Sequence, residues 1–271
     1  MHQKQKDLQL QYIGFRKTPF LWHGKGVFDL EQFKVKNTST LSFNLAINEK
    51  LRLGKLVERF VSFDLRNEVN TSIISENVQI QKEKITLGEI DCLLYQDGTP
   101  IHLEVIYKFY LYDPKSSDDE LYKWIGPNRR DSLVQKLNKL KNKQLPLLFS
   151  EESKNYLNQF DLSPDQIKQQ VYFKAQLYVP LKDLKDTYPL INNDCIDGYY
   201  CHYNHLKEFK SSKFFIPVKH DWLVIPHTNV EWLPYEKGLV EIFKFIDEEN
   251  SPLCWIKKPN GELLKLFAVW W

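Results

Sequence analysis

Residues 87–112 read LGEIDCLLYQDGTPIHLEVIYKFYLY, and the reading of this stretch decides the fold. Two apolar runs, Thr86–Tyr95 and Ile101–Tyr112, flank Gln96-Asp97-Gly98-Thr99-Pro100. An Asp-Gly pair between such runs is a strong hairpin signal, so the spacing predicts two antiparallel strands. Side chains alternate along a strand. Glu89 and Asp91 therefore share a face of the first arm, and Glu104, Ile106 and Lys108 share a face of the second. The arms are otherwise rich in Ile, Leu, Val, Tyr and Phe, which predicts strands covered on both sides. Charge in such a place is costly unless something pairs with it. Two readings stand. The acids and the lysine gather inside a sheet, hold a divalent metal and activate a water. Or Asp91, Glu104 and Lys108 form a structural ion pair with a spare acid, or simply a solvated strand face.

Upstream, residues 76–86, ENVQIQKEKIT, alternate imperfectly and lead into the first arm. Residues 50–66, KLRLGKLVERFVSFDLR, place Leu53, Leu56, Val57, Phe60 and Val61 at helical spacing, with Glu58 beside the stripe. Read alone, Glu58 is an exposed helix glutamate. Residues 1–40 are polar and loop-rich, with an aromatic cluster of Tyr12, Phe15, Phe20, Trp22 and Phe28. They are expected to form a short helix or two packed on later parts of the chain.

Downstream, residues 113–128 form a polar loop whose acids Asp118, Asp119 and Glu120 are expected to be solvated. A helix is expected from Arg129 to Lys143, with Leu133, Val134, Leu137 and Leu140 as its apolar stripe. Between Leu121 and Leu145 there are seven basic residues (Lys123, Arg129, Arg130, Lys136, Lys139, Lys141, Lys143) and one acid, Asp131, a local net of +6. Such a helix suits a phosphate backbone, or is a solvated basic face. Ser163-Pro164-Asp165 starts a short turn, and residues 170–179, QVYFKAQLYV, alternate as a strand. Beyond Pro180 the pattern is weaker. Phe214–Pro217 and Trp222–Pro226 read as short strands, Leu239–Glu249 as a helix, and Cys254–Lys258 with Leu263–Val269 as a closing hairpin. Cys195 and Cys201, with His202 and His205 following, invite a zinc reading. Five residues separate the two cysteines, which is not the usual paired spacing.

Composition narrows the classes. At 271 residues the chain can bury a sizeable core. Aromatics at 14% argue against disorder, and a net charge of +2 means any nucleic-acid surface must be local. The polar start, the lack of a long apolar run and the scattered cysteines lead us to expect a cytoplasmic protein with no membrane segment.

The order of helix with Glu58, strands with Asp91 and Glu104, basic helix and strand 170–179 resembles the αβββαβ core of the PD-(D/E)XK nuclease superfamily. HLEVIYKFYL and WIGPNRRDSLVQKL resemble, more specifically, the DUF1853 family, which has been grouped with that superfamily. The resemblance implies an α/β fold: a restriction-endonuclease-like core over residues 50–180, with a mixed central sheet flanked by helices. A packing segment at 1–49 would precede it and a C-terminal α+β extension at 181–271 would follow. It implies that Asp91 and Glu104 hold Mg²⁺ or Mn²⁺, that Glu58 assists, and that Lys108 stabilises the transition state. Glu89 has no counterpart. The superfamily pattern is Glu-x-Lys, but Ile106 occupies that lysine position and Lys108 comes two residues later. That shift moves the root of the lysine roughly 6–7 Å along the strand. Lys136 or Lys84 are candidate substitutes. Arg129, Arg130, Lys136 and Lys139 would grip DNA or RNA through its phosphates.

The expected function is metal-dependent hydrolysis of phosphodiester bonds. The alternative is a protein that kept the fold, lost the chemistry and binds nucleic acid or a protein partner. A third reading is a scaffold that docks partners through the aromatic segments 12–28 and 214–235.

Overall fold

The computed structural model describes residues 2–36, 42–45, 47, 51–182 and 187–271. Lys50, where the expected first helix of the core began, lies outside these residues. So do 1, 37–41, 46, 48 and 49 of the expected N-terminal segment and 183–186 of the expected extension. In chain order the helices are α1 (His2–Lys17), α2 (Leu53–Arg66), α3 (Leu133–Lys139), α4 (Glu151–Leu157) and α5 (Tyr235–Ile246). The strands are β1 (Thr71–Lys82), β2 (Ile85–Gln96), β3 (Thr99–Tyr112), β4 (Trp124–Ile125), β5 (Lys168–Pro180), β6 (Ile196–His202), β7 (Lys213–Phe215), β8 (Leu233–Pro234), β9 (Leu253–Lys257) and β10 (Leu263–Val269). The fold is α/β, with a large mixed sheet and several helices.

The chain divides into two compact units. The first comprises Phe20–Tyr107 and Gln135–Lys174. Its strands run β1-β2-β3-β5, with β1 antiparallel to β2 and β2 antiparallel to β3. The β2–β3 turn is the Asp97-Gly98 pair, and both residues have positive φ, at 50° and 76°. That is the geometry a two-residue hairpin selects, because its twist matches the flanking strands. Residues 76–86 are not a run-in to the hairpin. Most of them belong to β1, a strand in its own right, and a turn at Glu83 and Lys84 separates it from β2. In α2 the expected stripe is buried at Leu56, Val57, Phe60 and Val61, and Phe43 stacks edge-on against Phe60 and Phe63. A second cluster joins Ile80, Ile90 and Leu93 to Leu148, Leu157, Leu162 and Ile167. The segment from Phe20 to Phe33 runs along β5, with Leu21 N–H donating to Phe173 O and Phe33 N–H donating to Val171 O. Trp22 and Phe33 are buried there, in the core of their own unit.

The second unit comprises Met1–Pro19, Lys108–Val134 and Ala175–Trp271. Here β6 is parallel to both β5 and β10, while β10–β9 and β9–β7 are antiparallel. The closing hairpin β9–β10 and helix α5 match expectation. Trp222–Pro226, expected as a strand, differs. Trp222 and Leu223 end a 3-10 turn, Lys219–Leu223. Trp222 packs edge-on against Phe109 and Phe267, so its aromatic bulk serves the core without strand pairing. The cysteines at 195 and 201 are buried, as are Cys92 and Cys254. Helix α1 runs to sixteen residues, longer than the short helix expected. It packs on the 3-10 turn at Gly14, where an added Cβ would lie 1.9 Å from Leu223 O. Because the obstacle is backbone, Gly14→Ala is expected to destabilise the protein by about 1–3 kcal/mol, read as a lower urea midpoint. A wild-type midpoint would mean that α1 can shift freely. No helix among the described residues is long and apolar enough to cross a membrane.

Candidate functional site

Helix α2 supplies two charged side chains at the border of its buried stripe. Lys55 donates to Glu58 Oε2 at 2.7 Å, to the Glu89 carboxylate on β2, and to Asn77 Oδ1 on β1 at 2.8 Å. Asn77 has φ 55°, a left-handed conformation that asparagine tolerates better than most residues. It lies between the β1 residues that pair with Ile90 and Cys92, and so stands level with Asp91. Burial raises the Glu58 pKa despite the hydrogen bond and charge of Lys55, and the charge of Glu89 adds to the rise. For Lys55 burial acts downward, but the hydrogen bonds and charges of Glu58 and Glu89 outweigh it and leave the pKa raised.

Asp91 sits where the β2–β3 ladder ends. The paired residues run from Gln96 opposite Thr99 to Cys92 opposite Leu103. Beyond them the Asp91 carboxylate, through Oδ2, accepts the Val105 N–H at 2.9 Å. Its pKa is pushed up to about 7, first by burial and then by the charges of Glu104 and Glu58. The Val105 N–H and the charge of Lys55 pull it down without overcoming these. Asp91, Glu104 and Glu58 therefore share one electrostatic neighbourhood. They do not form a closed cage: among the described residues no group of three or more His, Cys, Asp or Glu side chains is placed to hold a metal ion.

Glu104 is wholly buried and held from both sides. His102 Nε2 lies 3.0 Å from Glu104 Oε1, and the Gln169 amide donates to His102 Nδ1 at 3.0 Å and to Leu145 O at 2.6 Å. With Nδ1 accepting, the ring proton is on Nε2 and points at the glutamate. On the other side the Gln144 amide donates to Glu104 Oε2, and Gln144 Oε1 accepts from Lys136 at 2.7 Å. The chain from Lys136 through Gln144 and Glu104 to His102 and Gln169 fixes the carboxylate's orientation. Gln144 lies in a π-helical turn, Leu140–Gln144, that follows α3.

The remaining sequence candidates are placed as follows. Ile106 is buried. Lys108, in the second unit, donates to Asp131 Oδ2 at 2.6 Å. Arg129 precedes α3, in a left-handed turn at φ 56°, pairs with Asp113 at 2.9 Å and lies over the Trp271 ring at 4.5 Å. Arg130 and Lys139 are exposed, the first in the second unit and the second in the first. Lys84 is exposed in the β1–β2 turn. The helix expected from Arg129 to Lys143 starts later, at Leu133, and its last turn is the π-helical one.

Sequence reasoning missed Lys55, His102, Gln144 and Gln169. Two of them carried a signal. His102 precedes Glu104 by two residues on a strand and so shares its face. Lys55 precedes Glu58 by three on a helix and so neighbours it. Gln144 and Gln169 come from distant segments and carried none.

The family model described as "Domain of unknown function (DUF1853)" matches residues 29–262. No curated protein and no solved structure matches the chain.

Proposed function

Since this chain belongs to the DUF1853 family, we propose that it is a metal-dependent nuclease-like protein that hydrolyses phosphodiester bonds of DNA or RNA, on a PD-(D/E)XK-type core. With the two-residue strand β4 and the seven-residue helix α4 set aside, the order α2, β1, β2, β3, α3, β5 supports the core assignment, because it is αβββαβ with acids on the helix and on the second and third strands. One observation carries the reading. Asp91 is a half-buried carboxylate whose pKa is raised first by burial and then by the charges of Glu104 and Glu58, and structural carboxylates are more often paired with cations.

Magnesium is commonly held by one or two carboxylates and keeps several waters, so it needs no closed cage. Asp91 and Glu104 fit that requirement in donor type and in charge, and Glu58 can assist directly or through a water. When bound, the ion would polarise the scissile phosphate and lower the pKa of a water. The chain's own residues do the rest. His102 and Gln144 fix the orientation of Glu104, and the Val105 N–H fixes Asp91. Lys139, exposed in the same unit as the acids, is available for phosphate contacts, and Lys136 joins it in the proposed grip on the backbone.

The second reading, an inactive nuclease-fold protein that binds nucleic acid or a partner, draws on a different observation. Each carboxylate of the group already has a protein partner: Lys55 for Glu58, Val105 N–H for Asp91, and His102 with Gln144 for Glu104. Titrating Mn²⁺ and Mg²⁺ into wild type and Asp91→Ala by calorimetry, beside a cleavage assay on single- and double-stranded substrates, separates the two. Hydrolysis requires that wild type bind metal and cleave, and that Asp91→Ala do neither. A wild type that takes up no metal at millimolar concentration ends the hydrolase reading. Salt-dependent nucleic-acid binding in that same protein would favour the second.

A further inference from the structure

The proposed reaction calls for a cation beside the acids, and the strand lysine is committed elsewhere. Lys108 pairs with Asp131 at 2.6 Å. Lys55 does touch the acids. Its three donors meet three acceptors: Glu58, Glu89 and Asn77. It is an organic cation lodged at the edge of four carboxylates (Glu58, Glu89, Asp91 and Glu104), of which it contacts two. Its side chain is 44% exposed. Its stem therefore has a solvent side toward which it can turn.

Taking the hydrolase reading as its basis, we infer that Lys55 is the resident counter-ion of the acid group. A divalent cation drawn to Asp91 and Glu104 competes with its ammonium for Glu58 and displaces it. The geometry explains why the acids are near one another yet form no cage. Glu58 is turned to Lys55, and in that position it is not available to complete an oxygen shell. A dication beside the group repels the ammonium and attracts the carboxylate, so the exchange needs only a side-chain rotation. Once displaced, Lys55 carries three unused donors at the edge of the site. An anionic phosphate bound to the same cation is the partner they suit, which gives Lys55 the role that the shifted position of Lys108 leaves open.

The test is Mn²⁺ calorimetry on the full chain, comparing wild type, Lys55→Ala, Lys55→Gln, Lys55→Arg and Asp91→Ala. Removing a competing charge of this kind is expected to tighten Mn²⁺ binding about tenfold in both Lys55→Ala and Lys55→Gln. Lys55→Arg keeps the competitor and should bind close to wild type. Cleavage should fall in the Ala and Gln variants although they hold metal better, an opposition that a merely structural lysine would not produce. Wild type binding Mn²⁺ with the Ala and Gln variants no tighter would overturn the inference and leave the hydrolase reading standing. Metal bound by the Lys55 variants alone would show that the ammonium is not displaced in wild type, and would overturn the inference together with the hydrolase reading. No metal in any of the proteins would remove both.

Discussion

Asp91→Asn is expected to melt higher than wild type at about pH 8, by less at about pH 5, and to melt with it only at about pH 3, below the unfolded pKa. The direction follows from the sign of the shift. The Asp91 carboxyl is raised from 3.8 to about 7 by burial, then by Glu104 and Glu58. Between those values the folded protein holds a proton that the unfolded chain has released. Stability from this group is thus complete below the unfolded pKa and is lost as pH rises through about 7. At 1.36 kcal/mol per pH unit the upper limit of that loss is roughly 4 kcal/mol. Asparagine mimics the protonated acid, can still accept the Val105 N–H, and never ionises. It should recover most of the loss, on the order of 5–10 °C in Tm. Melting curves across the pH range check this. Asp91→Asn gaining nothing at alkaline pH would show that the carboxylate is already compensated in the fold. The same assay reaches function. A ligand that binds only the folded state raises Tm by mass action, so Mn²⁺ should restore alkaline stability to wild type and leave Asp91→Asn unmoved.

The parts of this fold legible in the sequence were those set by local physics. The hairpin could be read because Asp97 and Gly98 must both take positive φ, and few other pairs do so cheaply. Helix α2 could be read because its stripe faces one core. What escaped was set by tertiary context. Strand β1 is half exposed along its length and so shows no clean alternation. Trp222 carries strand-like composition, but its ring is used edge-on between Phe109 and Phe267. The acids of interest were legible in part: strand parity puts forward Asp91 and Glu104, whereas Glu58, an exposed helix glutamate when read alone, was named only through the resemblance to the nuclease superfamily. Their partners were not. Lys55 looks like any surface pair at i,i+3, and the hydrogen bond from Gln144 to Glu104 spans forty positions of chain. The basic stretch was legible as charge but not as geometry, because Arg129 spends its charge on Asp113 and stacks on Trp271.

Buried charge alone does not mark a functional site, and the second unit supplies the contrast. Lys265 on β10 is 3% exposed, and its ammonium donates to Asp197 Oδ2 at 2.7 Å, Gln176 Oε1 at 3.0 Å and Trp222 O at 3.1 Å. Burial lowers its pKa although Asp197 opposes it. Asp91 faces like charges; Lys265 has a complete set of acceptors, including one of opposite charge. It ties together β5, β6, β10 and the 3-10 turn, all within one unit, and so reads as a structural rivet. Lys265→Ala is therefore expected to cost about 3–5 kcal/mol, because it empties a packed site as well as taking the donor from the Trp222 carbonyl. Lys265→Met should cost much less, about 1–2 kcal/mol. Its stem fills the same volume, Gln176 Oε1 keeps the Tyr178 hydroxyl at 2.9 Å, and Asp197, 41% exposed, can turn to water. Urea unfolding of the three proteins decides the point. Ala and Met variants losing equally would mean that the hydrogen bonds, and not the packing, hold this end of the sheet. Neither variant losing stability would mean that Lys265 is no rivet, and a ligand role beside the adjoining cavity of about 230 Å³ would have to be sought instead.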